Sequence, residues 1–119
     1  MHAITDTLFR VFERAADHMT DEELTAAARL TEGAADQAAR LARLAEGIGV
    51  LLDSEATGSG NTGVFQAPED VSELLYSIAW QCDAIAAASH IGRSAQFELE
   101  TRRTAAAEAT TTTTRRAKP

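Results

Sequence analysis

The side chains best suited to chemistry are few, and four rare ones fall close together. The only Tyr, the only Trp, the only Cys and one of three His lie in the stretch SELLYSIAWQCDAIAAASH, residues 72–90. A nucleophilic Cys82 needs a base beside it, and His90 is eight residues on and points elsewhere on a helix. His2, His18 and His90 show no HxxxH or HxxE spacing, and one cysteine supplies no zinc site, so no metal is expected. His18 precedes Asp21, Glu22 and Glu23 and reads as a residue at a helix C-terminus, favoured there by the dipole. No Ser-His-Asp set, glycine-rich strand turn or cofactor fingerprint appears, and Glu98 and Glu100 project to different sides of a helix. The expectation is a non-enzymatic protein without a cofactor.

On a helical wheel the same stretch separates into two faces. Val71, Leu74, Leu75, Ile78, Cys82 and Ile85 make an apolar seam, which predicts a buried, inert thiol. Tyr76, Trp80, Asp83 and His90 gather on a second face, roughly 140° from the seam centre. Large aromatics with polar tips, rimmed by a carboxylate and an imidazole, suit the centre of a protein contact. Either this face packs under the first helix and the Val64–Phe65 segment, or it meets another molecule.

These residues need helices to hold them. Residues 5–18 read as an amphipathic helix, on which Ile4, Leu8, Val11, Phe12, Ala15 and Met19 recur at steps of three and four. Thr20 to Glu23 is a capping box that starts a second helix reaching residue 56. Along it Leu24, Ala27, Thr31, Ala34, Ala38, Leu41, Ala45, Ile48 and Leu52 form a heptad seam of small residues, with breaks expected near Gly33 or Gly47. Its opposite arc is charged, and Arg29, Arg40 and Arg43 are its candidate anion contacts. TGSGNTG at 57–63 reads as a flexible connector, 57–67. It lacks the Gly-Lys-Ser/Thr ending of a phosphate loop. Pro68 opens a third helix that Gly92 would cap, with a weaker fourth helix beyond. Five consecutive threonines, 110–114, and RRAKP predict a disordered tail over 105–119.

The whole is expected to be all-α: a small helical bundle of three to four helices over residues 1–104, built on a long antiparallel hairpin of the second and third helices. With 25 alanines and 5% aromatics the core is thin, which favours a dimer through the Ala-rich seam. Residues 1–100 hold 17 acidic and 6 basic side chains, whereas 101–119 hold 1 and 5. An acidic body argues against reading a nucleic-acid groove. A single cysteine, no signal-like start and no long apolar run predict a cytoplasmic chain with no membrane span. The profile resembles, in general character, the small inhibitors and accessory proteins of phages and mobile elements, and it implies occlusion or bridging of a protein partner. A nucleotide binder stacking a base on Trp80 or Tyr76, and an acidic mimic of nucleic acid, are the alternatives.

Overall fold

A computed structural model of the chain describes residues 2–56 and 68–117, all of them helix, turn or cap. Among the described residues there is no strand. The expected connector 57–67, with Val64 and Phe65, lies outside them. Four helices follow in order: α1 His2–Ala16, α2 Asp21–Ala28, α3 Leu30–Ala56 and α4 Pro68–Arg116.

Helix α4, 49 residues long, is the member on which the other three pack. Helix α1 runs parallel to it, with Thr5 at Asp83, Phe9 at His90 and Ala16 at Arg102. The chain then turns through residues 17–20, and α2 and α3 return antiparallel along α4, from Asp21 beside Arg102 to Thr31 beside Gly92. The capping box starts α2 as the sequence predicts. Thr20 Oγ1 accepts from the Glu23 amide at 3.1 Å, and Glu23 Oε2 accepts from the Thr20 amide at 2.8 Å.

The predicted second helix is interrupted by one residue, at Arg29 rather than at Gly33 or Gly47. The cause is the close passage of α4. A methyl group at Gly92 would overlap Thr31 Oγ1 and stand 2.7 Å from the Thr31 amide nitrogen and 3.2 Å from the Ala28 carbonyl. Gly92 is therefore no helix cap. Its missing side chain lets two backbones touch, and the third and fourth predicted helices are one continuous rod. Gly33, Gly47 and Gly49 face open space.

Two further expectations need correction. The tail is helical to Arg116, and each hydroxyl of Thr110 to Thr114 donates to the carbonyl four residues back at 2.9–3.0 Å. Those bonds satisfy the hydroxyls in a rotamer that a helix allows to Thr, while the side chains stay exposed. The heptad seam is in part taken up inside the chain: Leu24, Ala34 and Leu41 are buried where α2 and α3 meet α4, while Ala38, Ala45 and Leu52 of the same seam are exposed.

The core is small. Leu24, Ala95 and Leu99 are its buried centre, with Phe12, Met19, Ala27 and Ala28 packed around them. On α1 the inward residues are Phe9, Phe12, Ala15, Ala16 and Met19, while Leu8 and Val11, expected inside, are exposed. The molecule measures 87 × 25 × 16 Å, with a radius of gyration of 22.9 Å. A compact chain of this length would have roughly 13.5 Å. The shape is a rod with a packed middle and two thin ends rather than a closed bundle.

Two kinds of glycine should respond oppositely to a methyl group. Gly92→Ala is expected to destabilise by about 1–3 kcal/mol through overpacking. Gly47→Ala and Gly49→Ala should each stabilise by roughly 0.5–1 kcal/mol as helix-interior changes. Urea unfolding followed by circular dichroism measures all three; a neutral Gly92→Ala would contradict the close crossing.

Candidate functional site

Helix periodicity and α1 together decide what the second face of α4 presents. Asp83 and His90 lie on the track that α1 occupies. The Thr5 hydroxyl donates to the Asp83 carbonyl at 3.5 Å, and the Phe9 ring meets the His90 ring at 3.9 Å between centroids, tilted by 54°. Asp83 is half-buried, and its Oδ2 is without a hydrogen-bond partner. One and two turns towards the N-terminus the same track carries Trp80 and Tyr76, near and beyond the start of α1 at His2. They are 52% and 70% exposed. The four residues grouped by the wheel are thus divided: Asp83 and His90 help seat α1, and the two aromatics project from bare helix.

The aromatics are not isolated. The end of the α3–α4 hairpin also exposes Leu44, Val50, Leu51, Leu52 and Leu75. Between α3 and α4, an open groove of about 540 Å³ is lined by Leu41, Ala42, Ala45, Ile78, Cys82 and Ile85, among others. Cys82 is exposed at this groove, contrary to the buried thiol expected from its place in the seam. The small side chains of Ala42 and Ala45 opposite it give too little cover. Among the described residues, this end of the molecule is an exposed apolar surface made by α3 and α4.

Its charge is one-sided. From residue 44 to residue 92 the sequence has seven carboxylates and no lysine or arginine. The candidate anion contacts lie on the exposed arc of α2 and α3. Arg29 shares a hollow with Asp21 and Glu22, and the Arg43 guanidinium donates to its own helix at Ala39. Arg29 and Arg40 are eleven residues apart, about 16 Å along a helix, which keeps them from closing on one small anion. Among the described residues no group of three or more His, Cys, Asp and Glu is arranged to hold a metal ion. No helix among them is long and apolar enough to cross a membrane.

A second hollow, of about 610 Å³, lies where α1 meets α4 and is lined by Phe12, Glu13, Asp17, His90, Arg93 and Phe97. Phe97 is 71% exposed at its rim. Sequence reasoning missed this residue, because it belongs to neither face of the predicted third helix.

Arg102, also missed, holds the site's foundation. Its Nη2 donates to the Ala16 carbonyl at 3.0 Å and its Nη1 to the Met19 carbonyl at 2.8 Å and to Asp21 Oδ1 at 2.9 Å. Its Nε donates to Glu98 Oε1 at 3.1 Å. The Ala16 carbonyl, at the last residue of α1, also accepts from the Met19 amide at 3.2 Å, and Met19 lies in the turn that follows. The hydrogen bond that Arg102 donates to Asp21, with the help of Glu98, raises the guanidinium above its ordinary range against some desolvation. A raised cationic pKa gives stability that is present below the unfolded value and lost only above the folded one, so the guanidinium stays charged through the neutral range. The Glu98-to-Arg102 spacing of four was the signal available in the sequence.

No protein-family model, curated protein or solved structure matches this chain.

Two outcomes are expected. Arg102→Ala should lower Tm by several degrees, and Arg102→Lys should recover only part of that, because one ammonium does not span acceptors on three sides. Cys82 should react with a thiol reagent in the native state as fast as in urea; strong protection would return it to the core.

Proposed function

We propose that this chain is a non-enzymatic helical interaction module that works by occluding or bridging a protein partner, with Tyr76 and Trp80 as anchors. The observation that carries the reading is their exposure on a bare stretch of α4, beside five exposed aliphatic side chains of the same hairpin end. Exposed apolar surface of this extent on a small protein marks an interaction site more often than a solvated face. Trp and Tyr are the residue types that contribute most when such a site closes. The carboxylate-only charge of residues 44–92 supplies a polar rim and selects for a partner with basic character. Cytoplasmic location and an inhibitor-like role belong to the same proposal. Asp83 and His90 take a supporting role, since each already meets a side chain of α1.

The nucleotide-binding alternative has less support, because the arginines that would meet phosphate are not gathered beside the aromatics. Nucleic-acid mimicry draws on the same carboxylates but leaves the exposed Leu, Tyr and Trp unexplained.

Immobilised wild-type chain and Trp80→Ala, exposed to lysate of the native host, test this through the proteins each retains by mass spectrometry. A specific species should be held by the wild type and bound about 30-fold more weakly by the variant, the equivalent of about 2 kcal/mol. Thermal stability should change little, because Trp80 is half-exposed. Identical capture together with a large loss of stability would overturn the proposal.

A further inference from the structure

Helices α3 and α4 each carry two rows of heptad-spaced side chains, and the hairpin buries one row of each. On α3, Ala34, Leu41 and Ile48 are buried or half-buried, whereas Ala38, Ala45 and Leu52 are exposed. On α4, Val71, Ile78 and Ile85 are half-buried, whereas Leu75 and Cys82 of the neighbouring row are exposed and only Ser89, which ends it, is half-buried. The two open rows lie on the same side of the hairpin, because Ala38, Ala45, Cys82 and Ser89 line one groove of about 540 Å³. From Leu74 round to Ala86 the small and apolar arc of α4 spans about 120°. An arc of that width meets more than one neighbour, and among the described residues α3 supplies only one flank of it.

From these two unfilled rows we infer that a second copy of this chain covers the groove, α3 on α3 and α4 on α4, in an antiparallel four-helix bundle. A two-fold axis perpendicular to the helices, near Cys82, relates the copies, so each open row meets the same row of its partner. The groove's lining holds no charged side chain. A partner chosen by charge would find nothing there to pair with, whereas a surface of the same kind is complementary to it. The small side chains at Ala38, Ala42, Ala45 and Ala86 allow axes at the short end of the usual 8–10 Å separation. Helix α1 leaves the approach open. It meets α4 at Asp83 and His90, while Cys82 and Ser89 point about 100° away round the helix, and no residue of α1 lines the groove. The clamped corners also stay apart, because Arg102 lies about 30 Å from Cys82 along α4 and Pro68 only about 21 Å the other way. Antiparallel stacking therefore carries each corner past Pro68 of the other copy. The 27 residues of α3 give a face about 40 Å long, and two helix widths of about 10 Å make its footprint about 800 Å². A standard interface takes about that much from each partner. Tyr76 and Trp80 lie about 120–160° round α4 from the open row, so this contact goes beyond the anchor reading and leaves those residues free.

The test is sedimentation velocity of the full chain at about 50 μM, well above a micromolar Kd. The wild type should be a dimer. Ala45→Glu should weaken association at least about tenfold, because it buries an unpaired carboxylate from each copy. Ala39→Glu, the same change on the outer arc of α3, and Trp80→Ala should leave the dimer intact. All three side chains are exposed in the single chain, so circular dichroism should show the same helicity throughout. A second readout needs no variant. Cys82 should react with a thiol reagent as fast as in urea when the wild type is dilute and monomeric, and about tenfold more slowly at about 50 μM, where a micromolar Kd leaves roughly a tenth of the chains free. A monomeric wild type, Ala45→Glu that dimerises as the wild type does, or a dimer lost on Ala39→Glu or Trp80→Ala would each overturn the inference. So would protection of Cys82 at every concentration, the mark of a cover supplied by the same chain. Trp80-dependent capture of a different protein by a monomeric wild type would sink the second-copy contact and still uphold the interaction module.

Discussion

One guanidinium closes the loop on which the arrangement of helices depends. Arg102 reaches from α4 to the last carbonyl of α1, to the Met19 carbonyl in the turn, to the first residue of α2, and back to Glu98 on its own helix. The turn at residues 17–20 must reverse the chain so that α1 and α2 can both lie on α4. Few apolar atoms are available to hold it, since the buried centre is Leu24, Ala95 and Leu99. A multidentate cation at that corner fixes direction, where the small core fixes only proximity. About three turns away, the Gly92 crossing fixes the depth at which α3 settles. Clamp and crossing together confine α1 to the middle of α4, and that confinement leaves Tyr76 and Trp80 bare.

The all-helical class, the capping box at Thr20 and the antiparallel return along α4 were legible in the sequence. Each is written in local chemistry or in a period of three and four. The charged arc at Arg29, Arg40 and Arg43 was legible for the same reason. What failed to be legible depended on contacts between helices. Gly92 carries the same symbol whether it ends a helix or admits a neighbour, and only the position of Thr31 distinguishes the two. Cys82 fits an apolar period, but its burial depends on the size of Ala42 and Ala45 on another helix. Arg102 declared a local pair with Glu98 and concealed its three acceptors some eighty residues away.

The candidate site divides in the same way. A helical wheel correctly set Tyr76 and Trp80 apart from the apolar seam, because it needs only the geometry of one helix. It placed Asp83 and His90 with them, since it carries no information on where α1 begins. The threonine run shows the opposite error. Poor intrinsic propensity pointed to disorder, whereas the run is helical and each hydroxyl bonds to the preceding turn.

The position of α4 in the chain also governs when the protein can fold. Every earlier helix packs on a surface that is synthesised after it, and the clamp requires residue 102. At roughly 5–20 residues per second, α1 to α3 leave the ribosome several seconds before the surface they pack on exists. During that interval an Ala-rich amphipathic stretch with Leu24, Leu41, Leu51 and Leu52 has no partner of its own, and its many carboxylates are what keep it dispersed. The acidic bias of the first hundred residues, whatever it later contributes to recognition, first serves the nascent chain.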